Sequence, residues 1–129
     1  MSNETKIKIV LADDEKFIAR AYTEGLTRAG FEVTSCPDGL DALEQVKKIR
    51  PDIVLLDLIM PGMTGFEVLK AMKEDPTLKD IPVLILSNLS QATDQDEAKS
   101  LGAEEFVIKS EVSLEEVVNK VKSFFNRTA

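Results

Sequence analysis

Five short runs rich in Ile, Val and Leu, at residues 7–11, 31–36, 53–58, 82–86 and 106–108, constrain this chain more than any other feature. Most of these runs are nearly continuous rather than alternating, which is the pattern of a strand covered on both faces. Between the runs, apolar residues return at helical spacing. Ile18, Ala21, Tyr22, Gly25, Leu26 and Ala29 form one stripe, closed by Gly30 at the C-cap position. Leu43, Val46 and Ile49 form a second, opened by Asp38 as N-cap and stopped by Pro51. Phe66, Leu69 and Met72 form a third, and Leu114, Val117, Val118, Val121, Phe124 and Phe125 form the last, behind a Ser113–Glu116 capping box.

The remaining helical segment, 92–101, has little apolar content beyond Ala92, Ala98 and Leu101. It is expected to pack shallowly and to be the least stable element. Strands that alternate with helices require crossover connections, hence a parallel sheet with helices on both faces. The expected fold is therefore α/β, a doubly wound five-stranded parallel sheet with five helices.

With 129 residues the chain suits one domain, and its last helix ends close to the C-terminus. One unit spanning 1–129 is expected, without an output domain. A hydrophobic share of 43% against 30% charged residues is a globular balance, which sets disorder aside. The net charge of −7 argues against a grip on nucleic acid, which needs clustered Lys and Arg. Cys36 is the single cysteine and there is no histidine, so neither an internal disulfide nor an evident zinc site is expected. A reducing, cytoplasmic setting fits. No apolar run approaches the roughly 20 residues of a membrane helix. The run at 7–12 is too short for a signal peptide, contains Lys8 and leads into Asp13 and Asp14. No membrane partner is expected.

In an open parallel sheet, ligands bind beyond the carboxyl ends of the strands. Four of the five runs deliver a polar group there: Asp13 and Asp14 after the first, Asp57 near the end of the third, Ser87 after the fourth and Lys109 after the fifth. Taken singly, most have plain explanations. Asp13 and Asp14 can cap the first helix, Ser87 can be a loop hydroxyl, and Lys109 can be a solvated charge. Asp57 is harder to explain so, because Asp is a poor strand former and is rarely buried without a partner. The conjunction of four strand ends outweighs the separate explanations. Carboxylates about 4 Å apart at an effective dielectric near 20 repel by roughly 4 kcal/mol per pair, so protonation or a cation must relieve them. A donor set of oxygens alone selects a hard ion such as Mg²⁺, which characteristically serves phosphate chemistry.

These residues resemble the receiver domain of two-component response regulators, over essentially the whole chain. The matching stretches are 9–15 (Ile-Val-Leu-Ala-Asp-Asp-Glu), 51–65 around Asp57 and through Pro61-Gly62, 81–87 ending in Ser87, and 101–109 from Leu101-Gly102-Ala103 to Lys109. The resemblance implies a flavodoxin-like fold with strand order 2-1-3-4-5. It implies that Asp57 accepts a phosphoryl group, and that Asp13, Asp14, Asp57 and the backbone carbonyl of Ile59 hold Mg²⁺ or Mn²⁺. It further implies that Lys109 pairs with phosphoryl oxygens and that Ser87 and Phe106 act as coupled switch residues. The face of helix four, strand five and helix five would then report to a protein target. The phosphodonor would be a sensor histidine kinase, a phosphotransfer protein or a small molecule. The module would promote its own phosphorylation and dephosphorylation without being an enzyme in its own right.

Two positions depart from that pattern. Ser110 follows Lys109 where the family usually has proline after a cis bond, and Asn88 follows Ser87 where Ala or Gly is usual. The first implies a different loop geometry, with a trans Lys109–Ser110 bond. The second implies narrower access to Asp57. A flavodoxin-type flavin carrier would need a phosphate-binding loop after strand one, where Asp-Asp-Glu would repel phosphate. A P-loop hydrolase would need a Gly-x-x-x-x-Gly-Lys-Ser/Thr run, which is missing. The alternative with most in its favour is a receiver that is never phosphorylated and serves only as a docking module.

Overall fold

Successive side chains of a strand point to opposite faces, so a continuous apolar run feeds two cores at once. In the computed structural model, which describes residues 6–89 and 91–126, β1 (Lys8–Ala12) does this directly. Ile9 and Leu11 enter one core, and Val10 and Ala12 enter the other. The same alternation runs through β3 (Ile53–Leu56) and β4 (Val83–Ser87), whose residues are all buried. β2 (Glu32–Cys36) and β5 (Glu105–Ile108) are the edges, and each is only partly covered. All pairs are parallel, and the sheet runs β2-β1-β3-β4-β5. Architecture and strand order are those expected.

Helices α1 (Lys16–Arg28) and α5 (Leu114–Asn126) cover one face through Ala19, Tyr22, Leu26, Val117 and Val121. Helices α2 (Gly39–Ile49), α3 (Gly65–Glu74) and α4 (Ala92–Ser100) cover the other. Asp38 caps α2 by accepting the Asp41 N–H at 2.8 Å, and Ser113 with Glu116 forms the expected box on α5. α1 ends at Arg28 with Ala29 as C-cap, and Gly30 follows in the left-handed region at φ 103°. Ala98 is the one buried residue of α4, so that helix packs as shallowly as its composition implies. No helix among the described residues is long and apolar enough to cross a membrane.

The start of α3 fixes the loop that leaves β3. Thr64 and Glu67 close a capping box, with bonds of 2.8 and 3.2 Å. Gly65 donates its N–H to the Leu58 carbonyl at 2.9 Å. A Cβ at position 65 would lie 2.1 Å from the Asp57 carbonyl oxygen, so only glycine lets α3 begin this close to the end of β3.

Gly65→Ala sets two effects against each other. Alanine gains about 1 kcal/mol in helix propensity and unfolded-chain entropy. A contact of 2.1 Å to backbone forces a shift whose cost is typically about 1–3 kcal/mol, and here the obstruction is not a flexible side-chain tip. With backbone as the obstruction the cost falls at about 2–3 kcal/mol, in the upper part of that range, so the variant should be less stable in urea by about 1–2 kcal/mol. Unchanged or higher stability would show that the end of β3 is held less tightly than this.

Candidate functional site

Register carries the polar residues to a common level. Ala12 pairs with Leu56, so Asp13 and Asp57 are the next residues on two adjacent strands. The Asp57 N–H donates to the Ala12 carbonyl at 3.0 Å, and the Asp13 N–H donates to the Cys36 carbonyl at 3.1 Å. On the other side, Ser87 pairs with Ile108, so Lys109 leaves β5 where β4 ends. These ends open on a cavity of about 350 Å³ that includes Asp14, Asp57, Ser87 and Lys109 in its walls.

Lys109 organises the site. Its ammonium lies 2.9 Å from Glu15 Oε1, 3.0 Å from Asp13 Oδ2 and 3.1 Å from Asp57 Oδ2. Asp13, Asp57 and Lys109 are buried, and Glu15 is half exposed. Burial alone would lower the Lys109 pKa. The hydrogen bonds to Glu15 and Asp13 and the charge of Asp57 outweigh it and hold the value above the ordinary one. For Asp13, burial dominates and raises the pKa, against the Glu15 backbone N–H and the Lys109 ammonium, which lower it. Asp57 Oδ1 also accepts the Ile59 N–H, at a long 3.4 Å. The relief that three clustered acids require thus comes, in part, from an ammonium within the fold.

Asp13, Asp14 and Asp57 each offer a carboxylate oxygen within 4.8 Å of the others. An all-oxygen set of this kind fits a hard divalent cation. Ser87 is buried at the cavity wall, and its Oγ accepts the Leu89 N–H at 3.2 Å. Ile59 stands at the rim with 58% of its surface exposed.

The structure therefore joins Asp13, Asp14, Asp57, Ser87 and Lys109 in one place. Phe106 lies apart from them. It is half buried on β5 against the α2–α4 core and lines a separate cavity of about 240 Å³ with Gln95, Val112 and Lys120. Asp13 and Asp14 are not caps for α1, whose N-cap is Glu15 with no side-chain cap bond; Asp13 Oδ1 instead accepts the Glu15 N–H at 2.9 Å. Asp57 stands one residue beyond β3 rather than inside it.

Glu15 joins the site as a residue that the sequence pattern does not single out. It reads as an ordinary acid at a helix start, and the remaining signal was its place beside two other acids facing a single lysine. The Lys109–Ser110 bond is trans, since the described residues contain no cis peptide.

A parallel sheet with an acidic cluster and a lysine at its carboxyl edge defines a doubly wound α/β module built around a charged pocket. Comparison with known proteins makes the class specific. A family model for the response regulator receiver domain matches residues 9–122. The probable transcriptional regulator ycf27 of Galdieria sulphuraria is 38% identical over 81% of this chain and 40% of its own length. The DNA-binding dual master transcriptional regulator RpaA of Synechocystis is 31% identical over 94% of the chain and 50% of its own length. Among solved structures, chemotaxis protein CheY4 of Vibrio cholerae superposes with a TM-score of 0.86 at 30% identity, covering 92% of this chain and 98% of that one. The phosphorylated cyanobacterial phytochrome response regulator RcpA gives 0.86 at 33% identity, covering 97% of each chain. The chain belongs to the receiver domains of two-component response regulators. It spans about half or less of the length of the curated relatives just described.

Lys109→Met should destabilise the fold at pH 7 by about 3 kcal/mol, because it strands buried carboxylates without their cation. The sign with pH follows from Asp13. Its folded pKa, already raised, rises further without the ammonium, so the penalty is present above that value and fades as pH falls toward the ordinary 3.8. Urea unfolding of both proteins at pH 7 and pH 4 checks this. A deficit that stays constant or grows toward pH 4 would contradict it.

Proposed function

We propose that this domain is a phosphoacceptor of a two-component phosphorelay, and that Asp57 takes the phosphoryl group from a sensor histidine kinase, a phosphotransfer protein or a small phosphodonor in the cytoplasm. The observation that carries the reading is Asp57 itself. It is a buried carboxylate clustered with two other acids, hydrogen-bonded by one lysine and facing an open cavity.

In the proposed reaction an Asp57 carboxylate oxygen attacks phosphorus. The bond from phosphorus to the donor nitrogen or oxygen breaks, its electron pair leaves with the donor, and an acyl phosphate remains. Lys109, 3.1 Å from Asp57 Oδ2, is placed to pair with the incoming phosphoryl oxygens. Ser87 already uses its oxygen to accept from Leu89, which leaves the hydroxyl hydrogen as a donor. Asp13, Asp14 and Asp57, with the Ile59 carbonyl, would hold Mg²⁺ or Mn²⁺. Such an ion supplies charge neutralisation for phosphoryl transfer.

As the Ser87 hydroxyl turns toward the phosphoryl group, the Phe106 ring follows it inward. The α4–β5–α5 face then presents a changed surface to a protein target. The docking-only alternative draws no support from Asn88 or Ser110. Asn88 Oδ1 accepts the Ser110 N–H at 2.9 Å, so the two unusual residues engage each other.

Intact mass after treatment with acetyl phosphate and Mg²⁺ tests the assignment. One phosphoryl group should add to the wild type, and none to Asp57→Asn or to protein held in EDTA. Equal labelling in either control removes Asp57, or the cation, from the reading.

The acyl phosphate should be long-lived. Hydrolysis needs a water aligned with the breaking bond, and Ile59 and Leu89 at the cavity are apolar and shield rather than orient it. Ile59→Asn and Leu89→Glu should each speed phosphate release, read as free phosphate after the donor is removed. If neither does, shielding by these side chains does not set the lifetime.

A further inference from the structure

Asn88 immediately follows the buried hydroxyl at the end of β4, and Ser110 immediately follows the buried ammonium at the end of β5. The bond from the Ser110 N–H to Asn88 Oδ1, at 2.9 Å, therefore joins the two loops that carry Ser87 and Lys109. Each partner makes sense only with the other. A proline at 110 would have no N–H to give. It would also drive Lys109 out of helical backbone conformations, whereas Lys109 here opens the 3₁₀ turn Lys109–Glu111. An alanine or glycine at 88 would have no acceptor. Asn88 and Lys109 are also shared walls of two cavities of about 350 Å³ each, the acidic pocket and one against Ile18, Ala21 and Tyr22 of α1.

A lysine ammonium sits at the end of a flexible four-carbon stem. Its position is only as fixed as the backbone it leaves and the groups it reaches. Of the three carboxylates that Lys109 reaches, Asp57 is the one whose charge changes on modification and Glu15 is half exposed, so a fixed ammonium also needs its backbone anchored. We propose that Asn88 is a positioning residue for Lys109. Its side chain ties the Lys109–Ser110 peptide to the end of β4 and keeps the ammonium within reach of Asp57. The consequence for phosphoryl uptake rests on the function proposed above; the bond and its anchoring role do not.

The rival role for Asn88 is as a cover that limits access to Asp57, and two substitutions separate the roles. Asn88→Leu keeps the bulk and removes the acceptor; Asn88→Ala removes both. Positioning requires that both variants quicken hydrogen exchange at the Ser110 amide by about two- to tenfold, the range given by one net hydrogen bond of ordinary strength. Both should also slow uptake from acetyl phosphate by about threefold or more, through misplacement of the ammonium. Asn88→Asp, which keeps an acceptor, should restore slow exchange. In a Lys109→Ala background neither Asn88→Leu nor Asn88→Ala should change uptake further. Faster uptake in Asn88→Ala than in the wild type, with Asn88→Leu left at the wild-type rate, would establish the cover and overturn the positioning role; an undiminished effect of either variant in the Lys109→Ala background would also overturn it. Unchanged Ser110 exchange in both variants would dispose of the bond itself. A wild type that takes up no phosphoryl group would bring down the proposed function and the uptake consequence, while the exchange measurement would still decide the anchor.

Discussion

The ammonium of Lys109 lies about equally far from three carboxylates contributed by two other strand ends, and the upper edge of the sheet depends on that arrangement. At about 3 Å and an effective dielectric near 20, each attraction is worth roughly 5 kcal/mol before desolvation, which exceeds roughly 4 kcal/mol for a repulsion at 4 Å. One cation at the centre of the acids therefore offsets much of their repulsion, but it does not neutralise them. Asp13, Glu15 and Asp57 share one ammonium, and Asp14 adds a further carboxylate beside Asp13 and Asp57. The residual negative charge is what makes the pocket receptive to a second cation.

The rest of the molecule is arranged so that these groups arrive at one height. Parallel strands in register bring Asp13 and Asp57 out together, and the β4–β5 register does the same for Ser87 and Lys109. The close start of α3 against the Asp57 carbonyl, possible because residue 65 is glycine, limits how far the end of β3 can move. Strand burial supplies the rigidity. β1, β3 and β4 are enclosed between two cores, so displacing their ends would disturb close-packed side chains on both faces.

Much of this was legible in the amino acids because it depends on periodicity and on which residues end an apolar run. The five strands, the five helices, the caps at Asp38 and Ser113, and the convergence of Asp13, Asp14, Asp57, Ser87 and Lys109 are all features of that kind. What was not legible depends on reach and on close approach. Glu15 joins the site because a flexible carboxylate extends to Lys109 across 94 residues of sequence, and no local pattern marks that. Gly65 reads as part of a turn until the backbone it abuts is known. Asn88 and Ser110 are each visible as unusual residues, yet their pairing requires knowing that β4 and β5 are neighbours whose ends are level. Strand ends shifted by one or two residues for the related reason that hydrogen bonding, not hydrophobicity, decides where a ladder stops.

The two sides of Asp57 differ in how firmly they are held, and that difference gives the pocket a direction. Toward β1, the neighbour is a fully packed strand whose Ala12 carbonyl bonds the Asp57 N–H. Toward β4, the chain leaves Ser87 for a loop that leads into α4, a helix anchored by Ala98 alone among its residues. Beyond β4 lies β5, an edge strand whose Phe106 is only half buried. Local opening costs least where few apolar groups are buried. A change of charge at Asp57 therefore meets a stiff wall on the β1 side and a yielding one on the α4–β5 side. Within that yielding side, the bond between Asn88 and Ser110 ties the two loops to each other. Under the proposed function Ser87 and Lys109 meet the same small anion, and they are then better coupled than independent, because each fixed relative distance removes a degree of freedom that binding would otherwise have to restrict.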